Sequence, residues 1–307
     1  MVPCLLLGLA LSAPLLAADN GFSIAVLAPA SDAALRRAIA ETDDDNLAFV
    51  VVNGIKDADA ACSDAIYLER KIQFDAAKNG LVISLAGSDW IACRNAAGQS
   101  VAMERLTRLR DLFFAEDFSF GASKVPLLRQ SSTPKFRSYA ENAHWEIGSI
   151  QFATINLPAE NNHFLAAAGR NSEFEDRQIA NHAWLQRLIA NATHRKLAAL
   201  VLFCDGNLLS AKTNPLHRDG FADLRGQLKQ LAAGYPGRIL LVHDGVDAGH
   251  GATAAIRWRG NLGTLAVGSS WLRLTILPDS QEQFTVSNGV SGNASGGSNK
   301  KAAVMMK

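Results

Sequence analysis

Side chains that could bind a metal ion lie where three apolar segments of the sequence end. His243, Asp244 and Asp247 lie at and after the end of the segment RILLVH, while Asp89 follows LVISL and Asp205 follows LAALVLFC. Imidazole and carboxylate groups are the ligands that Mn, Fe, Zn and Mg ions take in proteins. One interpretation is a site for a single divalent ion, held by His243, Asp244 and Asp247 with Asp89 or Asp205. The alternative is that His243 ends a strand and makes a local hydrogen bond.

Two other kinds of site have weaker support in the sequence. Ser88 lies in the turn AGSDW after LVISL, and His243 could approach it as the base of a serine nucleophile. That turn lacks the G-x-S-x-G elbow that exposes a catalytic serine in hydrolases. The three aspartates at 43–45 lack the spacing of a calcium-binding loop, so we expect a solvated turn there.

The elements that must position these side chains follow from the pattern of apolar residues. Continuous apolar runs typical of parallel strands covered on both faces occur at 22–28, 47–52, 81–85, 197–203 and 238–243. Amphipathic segments between them predict helices at 32–42, 103–114 and 173–192. The later segments TAAIRWRG and GTLAVGSSWLRLTIL alternate in polarity and predict antiparallel strands. Strand–helix alternation predicts an α/β protein whose working loops follow the carboxyl ends of its strands.

The composition limits the class of protein. Of 307 residues, 48% are apolar and 19% are charged, which is typical of a globular protein. The net charge is +1 with no basic face or tail, so we expect no nucleic-acid partner.

The two ends of the sequence differ from the rest. Residues 1–18 contain an apolar run too short to span a bilayer and end in small residues, which predicts a signal peptide. A buried first strand or helix is the alternative. We expect a secreted or periplasmic protein without a transmembrane segment in the mature chain. Residues 287–307 are rich in Gly, Ser and Asn and predict a flexible tail, which leaves a single domain over residues 19–286.

An exported chain of this sequence would contain three cysteines. Cys204 ends an apolar segment, so we expect it to be buried and inert. Cys62 and Cys93 both lie in loops after predicted strands, and an oxidising compartment favours a disulfide between them. As metal ligands they would need a further Cys or His at zinc spacing, and none lies near them in the sequence.

Six segments, in order, resemble a secreted bacterial branch of the calcineurin-like metallophosphoesterase superfamily. They are VLAPAS (26–31), NGIKDADAACSD (53–64), SLAGSDWIAC (84–93), ERLTRLRDLFF (104–114), HWEIGSIQFATINL (144–157) and NHAWLQ (181–186). The resemblance covers residues 22 to 250 approximately. It implies a layered α/β/β/α sandwich with mixed sheets. It also implies a strand-end cleft in which Asp, Asn and His side chains hold two metal ions that activate water.

This sequence departs from that ligand set in several loops. Leu27 stands where the resemblance implies the first Asp ligand, Gly54 where it implies the bridging Asp, and Ser88 where it implies an Asn. His243 is retained, but Asp247 stands in place of a second His. Two cations about 3.5–4 Å apart need an anion between them, and Gly54 has no side chain to provide one.

The sequence therefore predicts a member of this superfamily that has lost its dinuclear metal centre. We expect no cofactor and a non-catalytic or binding role, with a small molecule or a protein bound at the strand-end cleft. The alternative is an active phosphoester hydrolase with an altered, mononuclear site built from His243, Asp244 and Asp89.

Overall fold

A computed structural model describes residues 21–28, 31–166, 171–210, 218–245, 254–268 and 271–289 of the chain. Three sequence-based predictions fall outside these ranges: the signal peptide at 1–18, the ligand role of Asp247, and nearly all of the tail. No helix in the described ranges is both long enough and apolar enough to cross a membrane.

Within those ranges the chain alternates between strands and helices. The strands are β1 (Phe22–Leu27), β2 (Val50–Asn53), β3 (Leu81–Ser84), β4 (Leu128–Arg129), β5 (Ala143–Ile147), β6 (Ile150–Thr154), β7 (Ala199–Phe203), β8 (Arg238–Asp244), β9 (Arg257–Arg259), β10 (Leu262–Val267), β11 (Trp271–Ile276) and β12 (Phe284–Asn288). The helices are α1 (Asp32–Asp43), α2 (Asp64–Asp75), α3 (Ala102–Phe113), α4 (Ser172–His194) and α5 (Ala222–Ala233).

The described strands form two mixed sheets. One has the order β12-β11-β1-β2-β3, and the other has the order β4-β5-β6-β7-β8-β10-β9. Strands β1, β2 and β3 are parallel to one another, as are β6, β7, β8 and β10. The two parallel blocks therefore each present a row of strand-end loops, which is where polar chemistry is placed in α/β proteins.

The sheets pack face to face and are covered by helices on their outer faces. Between the sheets, the rings of Phe49 and Phe152 meet edge to face with centroids 4.9 Å apart. Helices α1, α2 and α3 cover the smaller sheet, and α4 and α5 cover the larger one, with Trp184 of α4 almost fully buried against it. This arrangement confirms the predicted α/β/β/α sandwich with mixed sheets.

The late segments form antiparallel pairs as predicted, but one of their strands also has a parallel neighbour. The alternating segment that forms β10 does pair antiparallel with β9, but it lies parallel to β8, with Leu262 opposite Ile239. Alternation reports that only one face of the strand is buried, and β10 alternates between partly exposed and buried residues. It carries no information about strand direction. β12 ends at Asn288, so the first two residues of the predicted tail belong to a strand.

The cysteines are placed as predicted. Cys62 and Cys93 form a disulfide that joins the segment before α2 to the turn after β3. Cys204 is a buried free thiol, and burial raises the pKa of that thiol. The predicted burial of Cys204 is therefore confirmed.

We expect the paired substitution Cys62→Ala with Cys93→Ala to lower the free energy of unfolding by about 3 kcal/mol. The reason is that the disulfide closes a loop with a sequence separation of 31 residues and so restricts the unfolded chain. Urea unfolding measures the loss. Reductant should destabilise the wild type and a Cys204→Ala control while leaving the double variant unchanged. A double variant as stable as the wild type would contradict the prediction.

Candidate functional site

Asp89 is a fully buried carboxylate in the turn after β3. Its Oδ1 atom accepts hydrogen bonds from the backbone amides of Ile55 (2.8 Å) and Lys56 (3.1 Å), and its Oδ2 atom accepts one from Ala86 (3.0 Å). Burial raises the pKa of Asp89 to about 6, although the three backbone hydrogen bonds favour the ionised form. The carboxylate therefore holds the loop after β2 against the loop after β3.

Gly54 lies directly beside this carboxylate. Its φ angle of +87° is in the left-handed region that glycine adopts at least cost. A Cβ atom at this position would lie 3.4 Å from the Cβ of Ala86 and 3.8 Å from Asp89 Oδ1. A carboxylate at position 54 would thus start next to the carboxylate of Asp89, and two like charges at that distance repel. Glycine at position 54 therefore avoids backbone strain and also avoids charge repulsion with Asp89.

Asp205 joins the two sheets at the same end of the strands. It follows β7 and is only 5% exposed. Its Oδ2 atom accepts hydrogen bonds from the backbone amides of Gly87 and Ala159, both at 2.8 Å, and its Oδ1 atom accepts one from the side chain of Asn53 at 3.4 Å. Burial raises the pKa of this carboxyl as well. In the sequence Asp205 stands out only as a possible metal ligand, and its role in linking the loops is visible only in the structure.

The remaining predicted site residues lie on β1, in the turn after β3 and at the end of β8. Leu27 is fully buried and pairs in register with Trp271, and Ser88 is half-buried in the turn that contains Asp89. His243 and Asp244 end β8 in the larger sheet, and Nδ1 of His243 lies 2.6 Å from the backbone oxygen of Asp244. This contact is the local hydrogen bond considered as the alternative. Gly54 and Asp89 are thus brought together on the smaller sheet. His243 and Asp244 lie on the larger sheet beside Asp205, where the backbone amide of Asp244 donates to the backbone oxygen of Asp205 at 3.1 Å.

Potential metal ligands are dispersed over the described ranges. Within them, no three His, Cys, Asp or Glu side chains are grouped so that they could hold one metal ion. Asp247 falls in the segment 246–253, which lies outside those ranges.

A second polar cluster, which sequence analysis missed, lies at the start of α4. Arg177 is fully buried, and its Nε donates to Oε1 of Glu173 at 2.6 Å while its Nη2 donates to Oε2 at 3.1 Å. Nδ1 of His163 lies 2.9 Å from the same Oε2 atom. Burial alone would raise the pKa of Glu173, but the hydrogen bond to His163 and the charge of Arg177 outweigh it and lower that pKa to about 2. Glu173 is therefore ionised throughout the physiological range.

The backbone before this cluster is strained. Asn161, Asn162 and His163 have φ angles of 52°, 54° and 53°, a left-handed conformation that costs non-glycine residues about 1–3 kcal/mol each. Nη2 of Arg177 donates to the backbone oxygen of Asn162 at 2.9 Å, and the Asn162 side chain donates to the backbone oxygen of Gly220 at 3.0 Å. The only sequence signals for this arrangement were the paired asparagines, which tolerate the left-handed region, and the i,i+4 spacing of Glu173 and Arg177.

A groove of about 390 Å³ opens between the first turns of α3 and α4. His163 and Glu173 line it, together with the half-exposed apolar side chains of Met103 and Leu165. Behind His163, the ring of Trp90 meets the imidazole edge to face with centroids 4.9 Å apart. The groove therefore combines an imidazole fixed on one side with apolar walls.

Comparison with known proteins finds similarity in structure and not in sequence. No protein-family model matches the sequence, and no curated protein matches it. The crystal structure of TT1561 of Thermus thermophilus is similar over 88% of this chain and 100% of that chain, with 9% sequence identity and a TM-score of 0.46. The function has to be inferred from the residues of this chain themselves.

Proposed function

We propose that this is an exported protein of the metallophosphoesterase type that binds a ligand and does not hydrolyse phosphoesters. The observation that carries the proposal is the use of two strand-end carboxylates, Asp89 and Asp205, as acceptors for backbone amides. These are groups that hold loops together, and a dinuclear centre would need such carboxylates turned toward the metal ions.

The energetics favour the loop-holding role over metal binding. Turning Asp89 toward a metal ion would leave up to three buried amides without an acceptor, at about 1–3 kcal/mol for each. At the positions where the resemblance implies ligands, Leu27 is apolar and fully buried and Gly54 has no side chain. The residues present therefore do not fit a pair of metal ions bridged by a carboxylate.

The disulfide supports the exported location. Disulfides persist in secreted and periplasmic proteins and are rare in reducing compartments, so the bond between Cys62 and Cys93 favours an oxidising compartment. The apolar run at 1–18 agrees with export as a sequence signal.

The test measures the metal content and the phosphodiester-hydrolysing activity of untagged protein. We expect purified protein to contain no stoichiometric Mn, Fe, Zn or Mg. It should also show no turnover of a phosphodiester substrate with added Mn²⁺. Thermal unfolding is an independent readout, because a metal bound only by the folded state adds about 2.7 kcal/mol at about 100 times its Kd. We expect no such Mn²⁺-dependent stabilisation.

A His243→Asn variant distinguishes a mononuclear hydrolase, the alternative function, from a contaminating enzyme. A mononuclear hydrolase would show stoichiometric metal and turnover in the wild type, with both lost in this variant. That result would overturn the proposal and establish the mononuclear hydrolase. Turnover that is unchanged in the variant and absent from repurified protein would identify a contaminating enzyme and leave the proposal standing.

A further inference from the structure

We propose that the groove between the first turns of α3 and α4 binds a small organic anion, a carboxylate or phosphate group on an apolar body, and that His163 contacts the anionic group. This inference rests on the proposed binding function and names its site and its class of ligand. Neither Asp89 nor Asp205 lines this groove.

His163 is held so that only one of its ring nitrogens is available to a ligand. Glu173 is ionised and can only accept, so Nδ1 of His163 must carry a proton and donate to it. Within the described part of the chain, Nε2 has no hydrogen-bond partner, and the imidazole lines the groove. When the ring carries both protons, Nε2–H is a charged donor, the kind that makes the stronger hydrogen bonds to anions.

The acidic side chains at the groove are each paired with an arginine. The buried guanidinium of Arg177 neutralises Glu173, and at the groove's other edge Arg105 forms ion pairs with Glu104 and Asp64. Once these pairs cancel, the amino-terminal ends of the two helix dipoles remain, and a doubly protonated His163 ring adds a positive charge to them. His163 provides the contact, and the helix ends strengthen the preference for an anion.

Backbone donors are also available on both walls. Neither helix has a side-chain cap at its start, because Val101 cannot provide one and the side chain of Asn171 bonds to the backbone of Leu165 instead. In the described structure, several amides of these first turns donate no hydrogen bond: those of Met103, Glu104, Ser172, Glu173 and Phe174. Such amides at a helix start are ready donors for a phosphate or carboxylate.

The size and the apolar walls define the rest of the ligand. The volume of about 390 Å³ lies in the range of about 300–1,000 Å³ for small-molecule sites. The side chains of Met103 and Leu165 are 48% and 50% exposed, and an apolar group lying on them would remove that surface from water. A single aromatic ring with one anionic group is therefore a suitable probe.

The full mature chain is titrated with phenyl phosphate, benzoate, inorganic phosphate and benzyl alcohol. Binding is measured by calorimetry and by changes in the amide chemical shifts. We expect phenyl phosphate or benzoate to bind at least about tenfold more tightly than benzyl alcohol, because one charged hydrogen bond accounts for a difference in affinity of that size. The shifts should centre on residues 103–104 and 172–174. The two anionic probes show whether phosphate or carboxylate is preferred, and inorganic phosphate shows how much the apolar body contributes.

Two sets of variants locate the contact. His163→Ala should weaken binding of the anionic probe by about tenfold or more. Met103→Glu places a carboxylate on an exposed wall of the groove and should weaken binding of the anionic probe by a similar factor. Met103→Gln has the same shape as the glutamate variant without its charge and should retain wild-type affinity. Because Met103 is half-exposed, this pair keeps the test valid even if His163→Ala does not fold.

The outcomes separate the two proposals. Equal affinity of Met103→Glu and Met103→Gln, equal binding of benzyl alcohol and the anions, no binding at all, or shifts centred on residues 54–56 would each overturn this site. None of these results produces bound metal or turnover, so the proposed function would still stand. Metal-dependent turnover would overturn the proposed function whatever the groove binds.

Discussion

Asp89→Ala is expected to lower the free energy of unfolding by about 3 kcal/mol at neutral pH. The substitution leaves the buried amides of Ile55, Lys56 and Ala86 without an acceptor, and each such donor costs about 1–3 kcal/mol. Removing a buried negative charge offsets part of that loss. Urea unfolding at pH 7 measures the difference from the wild type.

Asp89→Asn tests the same contacts with almost no change of shape. Its amide oxygen can still accept from Ile55 and Lys56, but its NH₂ group would face the amide of Ala86, so we expect an intermediate loss. Asp59→Asn is the matched control, because Asp59 is exposed in the neighbouring loop, and surface changes of this kind alter stability by less than about 0.5 kcal/mol. A loss for Asp89→Ala no larger than for the control would contradict the loop-holding role.

The pH dependence gives a second readout for Asp89. Its folded-state pKa of about 6 is above the ordinary aspartate value of 3.8, so the native state holds an extra proton between these two pH values. This proton contributes about 3 kcal/mol to the free energy of unfolding below about pH 4. The contribution is lost as the pH rises through 6. The stability of the wild type relative to Asp89→Asn should therefore increase on acidification from pH 7 to 4.

The stability of the wild type has to be compared with that of Asp89→Asn because another buried group changes stability with pH in the opposite direction. Burial lowers the pKa of His144 from 6.5 to about 4, so the unfolded state binds its proton first as the pH falls. That histidine destabilises the fold on acidification through the same range. The wild-type curve alone would mix the two effects, whereas the difference between wild type and Asp89→Asn isolates the carboxylate.

Apolar patterning was sufficient to predict the layers of the fold. Each of the five buried runs contains a strand, because a run of apolar side chains is stable only where both faces are covered. Helices α2 and α5 were not predicted. In α2, Leu68 and Ile72 are exposed while Arg70 is buried, so hydrophobicity does not follow one face of the helix. Such a pattern hides a helix from periodicity arguments.

The candidate site was less predictable than the fold. The positions of Leu27, Gly54 and Asp89 in strand-end loops followed from the sequence, but the direction in which the Asp89 carboxylate points did not. Asp89 and Asp205 accept hydrogen bonds from backbone amides far away in the sequence, and a backbone amide leaves no sequence signal because every residue type except proline carries one. A carboxylate that binds metal and one that binds amides look identical in a sequence.

Arg177→Met is expected to cost about 3–5 kcal/mol, the range found when one partner of a buried ion pair is removed. Methionine has a similar length but would leave the backbone oxygen of Asn162 without this donor and Glu173 with only the hydrogen bond from His163. Arg177→Lys should recover only part of the loss, because an ammonium group cannot reproduce the planar fork that reaches both Glu173 oxygens. Arg187→Met is the control, because Arg187 is exposed on the same helix.

Acid unfolding distinguishes loss of this ion pair from a general packing defect. The pKa of Glu173 is lowered from 4.5 to about 2, so its contribution to stability is present above about pH 4.5 and is lost as the pH falls toward 2. In Arg177→Met the carboxylate loses its main counter-charge, and the part of the acid-induced loss that belongs to Glu173 should shrink. An Arg177→Met variant with the full wild-type acid dependence would mean that this pair does not hold Glu173 in its charged form. The positioning of His163 beside the groove would then need a different explanation, since its Nδ1 contact is made to the same carboxylate.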